Sequence, residues 1–436
     1  MIEVFPLETP AVRPLDLHPA QVEGRDVIVV RDPLGVMEGT AVLAAHPLLL
    51  VFFQLANGHT TCREMAEALT RATGTIIGAE VFESIAKQLD EALLLASPRF
   101  RDAYERKRQQ FTQLTVRPAS VFRRDGADRL EMIKRLGDEL RRHMRGEKAP
   151  PATMDLPPRS VVGILSPHID YERGGFAYAW AYKALKENGA GARTCIVLGT
   201  SHNPMGHRFV ATRKDFDTPL GIVETDKELL DELAAEFAGE LFADEYAHAN
   251  EHTIELQTVY LRHIFGDATP PRIVPILVDS FEGMLVDGRS PAEDEEIARF
   301  CGALSQILAR HGDSVALIGG VDFSHCGPHF GQPQLNDEER EREIEAGDRA
   351  ALAAIESGNP ERFFDHFRKD ANARQVCSIA PIYVAMAAMR ERAVPRVLTY
   401  QQANTPDRTC LVSFASVAFI RKEALQDQPR ILIVNG

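Results

Sequence analysis

Beyond residue 158 the chain alternates short β-branched apolar runs with longer stretches of helical period. Residues 161–165, 195–198, 273–278 and 315–318 are almost wholly apolar, as strands buried on both faces are. Between and after them, residues 176–188, 227–237, 250–265 and 295–311 repeat apolar positions every three to four residues, which predicts amphipathic helices. Strand and helix in alternation predict an α/β domain with a largely parallel sheet flanked by helices. No period typical of a repeat protein is present.

The first 96 residues follow a different pattern. Their longest apolar run, 41–56, contains His46 and Pro47, falls short of the ~20 residues that cross a bilayer, and reads as a buried helix. Asn57-Gly58 closes it, and Thr61 with Glu64 forms a capping box for a second helix through Leu69. A third follows Gly78, with Val81, Ile85, Leu89 and Leu93 along one face. With a strand at 27–30, these predict a small winged-helix-like module over residues 1–96. A charged helical linker covers 97–113, the α/β domain 114–424, and a tail or edge strand 425–436.

Length agrees with that division, because 436 residues exceed the roughly 250–300 that one core fills. A net charge of −14 argues against nucleic acid and against an anionic membrane surface, both of which need clustered Lys and Arg. The first 96 residues alone hold 13 acidic and 6 basic residues, a net of −7, so the winged-helix-like shape is not expected to read DNA. Residues 1–10 carry two acids and no base, unlike a secretory signal, which places the protein in the cytoplasm. The six cysteines form no CxxC pair, so reduced thiols and no structural zinc are expected.

Candidate chemistry gathers after the predicted strands, where open α/β sheets bind their ligands. Ser166-Pro167-His168-Ile169-Asp170-Tyr171 follows the first, Gly199-Thr200-Ser201-His202-Asn203-Pro204 the second, and Asp322-Phe323-Ser324-His325-Cys326 the fourth. A fourth contributor, Asn250-Glu251-His252-Thr253-Ile254-Glu255, opens a helix with Asn250 as its cap, so that His252 and Glu255 share a face. Histidines with a carboxylate suit a divalent transition metal, and the oxygen ligand could be Glu251, Glu255, Asp170 or Asp322. Asp322 could instead orient a ligand histidine. Five other histidines, His207, His248, His263, His311 and His329, read as surface or packing residues. Cys326 lies beside His325, and Cys377 precedes a helix at 379–389 whose N-terminus would favour a thiolate.

Together these motifs resemble the Memo family. Ser166-Pro167-His168 with Tyr171 and Gly175, Leu198-Gly199-Thr200-Ser201-His202, Glu251-His252-Thr253-Ile254-Glu255, Val274-Pro275-Ile276-Leu277-Val278 and Asp322-Phe323-Ser324-His325 occur in that family's order, followed by Cys377 with Pro381-Ile382. Arg117-Pro118-Ala119 and the helix expected at 125–143 resemble the opening of Memo domains. The resemblance implies a fold similar to the class III, LigB-like extradiol dioxygenases. It implies a pocket of His168, His202, His325 and Cys377 that can hold iron or copper; iron is the first expectation, and the imidazole donors themselves also suit zinc. Ser324 stands where animal members have a second cysteine, and Ile169-Asp170 replaces Ala-Gly and adds a carboxylate to the rim.

Two functions follow as expectations. In one, a dioxygenase-like metalloenzyme uses His168, His202 and Cys377 to hold the metal and His325, His252 and Asp322 for proton transfer and orientation; Asp170, Glu255, Ser324 and Cys326 are further pocket candidates. In the other, the protein is a non-catalytic adaptor. Bacterial and archaeal relatives are called AmmeMemoRadiSam system protein B, which implies radical-SAM and AMMECR-type partners. The first 96 residues resemble PqqD-like modules, which implies a peptide partner.

Overall fold

The computed structural model describes residues 3–37, 39–122, 126–203, 205–266 and 270–426. Two compact units divide the chain, residues 1–114 and 115–436. The tail or edge strand expected at 425–436 lies outside the described residues from 427 onward, as does the expected helix start at Asp125.

In the first unit, β1 (Asp16–Val22), β2 (Arg25–Arg31) and β3 (Ala41–Ala44) form an antiparallel sheet in that order. α1 (Pro47–Leu55), α2 (Cys62–Thr73), α3 (Ala79–Glu91) and α4 (Pro98–Thr112) follow. Thr61 caps α2 through a complete capping box with Glu64. The apolar run 41–56 is not one buried helix: its first residues pair in the sheet, and Pro47, which favours the first helical position, starts α1 anew. Only Phe52 of α1 is fully buried. In α3 the buried face is Phe82, Ala86 and Leu89, while Leu93 lies past the helix with φ of 61°.

The second unit runs β4 (Val116–Arg117), α5 (Gly126–His143), β5 (Val161–Ser166), α6 (Tyr171–Asn188), β6 (Thr194–Thr200), β7 (Phe209–Ala211), β8 (Asp215–Phe216), α7 (Lys227–Phe237), α8 (His252–Phe265) and β9 (Arg272–Val278). It continues through α9 (Glu282–Asp287), α10 (Glu295–His311), β10 (Val315–Gly320), β11 (His325–Cys326), α11 (Glu338–Glu356), α12 (Pro360–Arg368), α13 (Ile379–Met389), β12 (Ala393–Asn404), β13 (Leu411–Arg421) and α14 (Lys422–Gln426). The sheet order is β11-β13-β5-β10-β6-β9-β7, with β12 on β13. Its centre, β5-β10-β6-β9, is parallel, and β13 and β7 add antiparallel edges.

Both faces of that centre are covered, which explains the unbroken apolar runs. Leu165, Ile196, Val274 and Leu317 join one core with α7, α10, α12 and α13; Ile164, Val197, Leu277 and Ile318 join the other with α5, α6 and α8. β10 comes last in sequence among the parallel strands yet lies between β5 and β6. The loops leaving β5, β10 and β6 therefore emerge side by side, at the strand crossing where such sheets take ligands.

Candidate metal centre

Among the described residues, His168, His202 and His252 offer ligand atoms that all lie within 4.8 Å of one another. His168 follows β5, His202 follows β6, and His252 is the first residue of α8. Glycine lets the helix come so close. A Cβ on Gly199 would stand 2.5 Å from Thr253 Oγ1, and one on Gly320 would stand 2.9 Å from the Thr253 carbonyl oxygen. Any side chain at those strand ends would push the start of α8, and with it His252, away.

His168 is buried and held from several sides. Its Nδ1 lies 3.1 Å from the Gly320 carbonyl oxygen, which only accepts, so Nδ1 carries the proton and Nε2 presents a bare lone pair. Its backbone N–H donates to Asp322 Oδ1 at 3.0 Å. On either side, the Pro167 carbonyl accepts from Gln257 Nε2 at 2.7 Å and the Ile169 carbonyl from the Tyr178 hydroxyl at 3.0 Å. Cys377 Sγ lies 3.4 Å from His168 Nε2, and Asp322 Oδ2 lies 3.5 Å from it. Ser378 fixes that thiol's neighbourhood: its Oγ accepts the Asp322 N–H at 3.0 Å and bonds Thr200 Oγ1 at 2.9 Å.

The other two imidazoles depend on one carboxylate. Glu251 accepts from the His202 backbone N–H at 2.9 Å and from His202 Nδ1 at 3.1 Å, and its Oε1 lies 3.3 Å from His252 Nδ1. The same carboxylate accepts the Thr253 N–H and caps α8, so the cap is Glu251 and not Asn250. The His202 and His252 rings stack at 4.8 Å between centroids, 19° from parallel. With both Nδ1 atoms facing Glu251, the Nε2 atoms are the ones left over for a ligand.

Burial and mutual repulsion hold His168 well below its usual pKa, and burial lowers that of His252. Burial opposes charge on His202 too, but the Glu251 carboxylate and the Cys377 thiol outweigh it and raise its pKa. Burial likewise works against charge on Glu251, yet His202 and His252 keep it ionised well below the usual carboxylate range. Asp322 is pushed up by burial to about 7, against the pull of the His168 and Ile169 N–H groups.

These residues fit a metal ion. Nitrogens bound at ~2.1 Å in a tetrahedron stand about 3.4 Å apart, so the cluster needs a contraction of little more than ~1 Å, within reach of imidazole rotation. Gly320 and Glu251, both buried, stand behind the three Nδ1 atoms in the place of the outer contacts that ligand histidines ordinarily have.

The remaining candidates sit elsewhere. His325 is outside the three-histidine group; its Nδ1 bonds the Phe323 carbonyl at 3.0 Å, and burial holds its pKa down to about 4. Its charge would still be felt at His168. Asp170 caps α6 and pairs with Arg173 at 2.6 Å, half exposed. Glu255 is wholly buried against Arg117. Ser324 Oγ donates to the buried Asp348, and Cys326 is buried with its thiol pKa pushed up to about 11. The sequence offers Glu251 as one of four candidate oxygen ligands; the structure instead sets it behind His202 and His252 as the carboxylate that orients them, and adds the backbone acceptor of Gly320, which no sequence pattern marks. The signal for Glu251 was its place directly before His252, at a helix start.

Comparison with known proteins identifies the family of the chain. The Memo-like protein family matches residues 133–418, about two thirds of the chain. A MEMO1 family protein of Aquifex aeolicus is 26% identical over 412 residues, covering 94% of this chain and 99% of its own. That alignment is longer than the second unit and so extends into the first. A relative from Methanopyrus kandleri is 32% identical over 52% of this chain and 74% of its own. An uncharacterized Escherichia coli K12 structure overlays 56% of this chain and 91% of its own at a TM-score of 0.31 and 10% identity, too slight a likeness to argue from. With the family matched across the strands, the histidine loops and α13, the chain belongs to the Memo-like protein family.

Proposed function

We propose that this protein is a non-haem metalloprotein in which His168, His202 and His252 hold a divalent transition ion, with Cys377 as a fourth candidate ligand. Iron is the first candidate, and copper and zinc are the alternatives. One observation carries the reading: three convergent imidazoles whose Nδ1 atoms are all engaged by Gly320 or Glu251, leaving their Nε2 atoms for an ion. Donors of this kind suit all three metals, and the thiol leans toward the softer ones.

A bound ion would supply Lewis-acid or redox chemistry, and dioxygenase-like turnover of a small substrate is the activity it suggests. His202 and His252 keep about a third of their side chains exposed, so substrate would approach from their side. His325, held neutral near pH 7, is the candidate proton acceptor, and Asp322, which accepts the His168 backbone N–H, steadies that ligand's loop. Elemental analysis of wild type beside a His168→Ala, His202→Ala variant tests the site. Near-stoichiometric metal lost in the variant supports it, and no metal after anaerobic reconstitution overturns it. Oxygen uptake with catechol-like compounds tests the chemistry.

A second reading, an adaptor for radical-SAM and AMMECR-type partners with a PqqD-like module that takes a peptide, is favoured by α1. That helix is apolar at every position except Gln54 yet buries only Phe52, leaving Leu50 45% exposed. A helix apolar all round is ordinarily covered. Also in the first unit, a groove of about 490 Å³ is lined by Val36, Met37, Leu93, Ala103 and Arg106. Co-purification of an untagged partner from the native host supports this reading; isolation alone at physiological salt counts against it. No described helix is long and apolar enough to cross a membrane.

A further inference from the structure

We infer that Arg117 is a positioning residue for the metal centre, fixing through its guanidinium the segment that carries Glu251 into His252. The inference rests on the metal reading above. Arg117 is completely buried, and all five of its side-chain N–H groups have partners. Nε donates to the His248 carbonyl at 2.8 Å, and Nη2 to the Glu251 carbonyl at 2.8 Å and to Ser120 Oγ at 3.0 Å. Nη1 donates to Glu255 Oε2 at 2.5 Å and to the Pro118 carbonyl at 3.0 Å.

The two long arms therefore hold both ends of the 248–251 stretch, which no strand pairing supports. Glu251 is gripped twice over: its carbonyl by Arg117, its carboxylate by His202, His252 and the start of α8. Glu255 completes the clamp from the first turn of α8, also accepting from the Ser120 N–H at 2.9 Å, the Ser120 hydroxyl at 2.6 Å and the Val121 N–H at 3.0 Å. A buried ion pair is poor evidence of stability, since well-packed apolar residues can often replace it. Here it spans three stretches of chain and ends on the carbonyl of the residue that steers two imidazoles.

Lysine at 117 keeps the charge for Glu255 but cannot reach both carbonyls, because it lacks the planar fork. The test is cobalt(II) binding to the full chain, read as affinity by chelator competition and as visible absorption. Wild type, Arg117→Lys and Arg392→Lys are compared. Arg392 also grips two carbonyls, Leu308 at 2.7 Å and Gly312 at 2.6 Å, but at the opposite ends of the strands, so it controls for loss of an equivalent structural clamp. Arg117→Lys is expected to bind roughly 10–100-fold more weakly with an altered spectrum, and Arg392→Lys to match wild type. Wild-type affinity and spectrum in Arg117→Lys, or an equal loss in both variants, overturns the inference. If Arg117→Lys does not fold, Ser120→Ala, which removes only the hydroxyl shared by Arg117 and Glu255, is expected to weaken binding several-fold; unchanged binding there overturns it. Failure of wild type to bind cobalt, iron, copper or zinc overturns the metal reading itself, and this inference with it.

Discussion

The two sides of the three-histidine pocket are built by different means. His168 is held through backbone acceptors at the strand ends: the Gly320 carbonyl takes its Nδ1, the flanking Pro167 and Ile169 carbonyls accept from Gln257 and Tyr178, and Cys377 is tied to the same strand ends through Ser378. His202 and His252 are held by side-chain charge, through Glu251 and, behind it, Arg117. A sheet-held ligand inherits the rigidity of paired strands. A charge-held ligand depends on keeping one buried carboxylate ionised and in place, so the Glu251 side should be the more easily disturbed.

The largest expected effect is at Glu251. Glu251→Ala releases two imidazoles and the α8 cap together, and should weaken metal binding by about 100-fold, against roughly 10-fold for Asp322→Asn on the sheet-held side. Isothermal titration of the two variants checks this, and equal losses would erase the distinction.

Acid should act next. His248, whose carbonyl Arg117 grips and whose Nε2 bonds the Val210 carbonyl at 2.9 Å, is held by burial to a pKa of about 4, and burial does the same to His143 between α5 and α6. A histidine whose folded pKa is depressed stabilises the fold above its unfolded value of ~6.5 and loses that contribution as pH falls toward about 4. By pH 5 each should have lost roughly 2 kcal/mol. Denaturant unfolding at pH 7 and pH 5 measures it, and His248→Gln should remove about half of the combined change.

Gly320→Ala tests the shared floor of both sides. Its Cβ would press on the Thr253 carbonyl at the start of α8, which should cost about 1.5 kcal/mol and lower metal affinity. A wild-type melting temperature and affinity would show that α8 can move aside.

The smallest effect belongs to the first unit. Thr61→Ala removes the α2 cap and should cost about 1 kcal/mol there, leaving metal affinity unchanged. A change in affinity would mean that the first unit influences the pocket.

Much of this architecture was legible from pattern alone. Strands buried on both faces read as apolar runs, the capping box at Thr61 is a local three-residue signature, and polar loops after strands mark the ligand rim. His168 and His202 stand out for that last reason. Asp170 and Glu255 were equally visible but are engaged in an α6 cap and a buried ion pair. Glu251 and Glu255 differ in fate because the first precedes the helix and the second lies one turn inside it, a difference of backbone conformation that composition does not record.

The sequence by itself determined the alternation of strand and helix, the parallel apolar centre and the set of histidines at its rim, because those depend on local period and on where strands end. Only the tertiary structure decided which three histidines meet, since that follows from β10 lying between β5 and β6 and from α8 approaching two glycines. It also decided which carboxylate steers them. Hydrogen bonds between residues far apart in the chain, such as the 134-residue span from Arg117 to Glu251, leave no period in the sequence to be read.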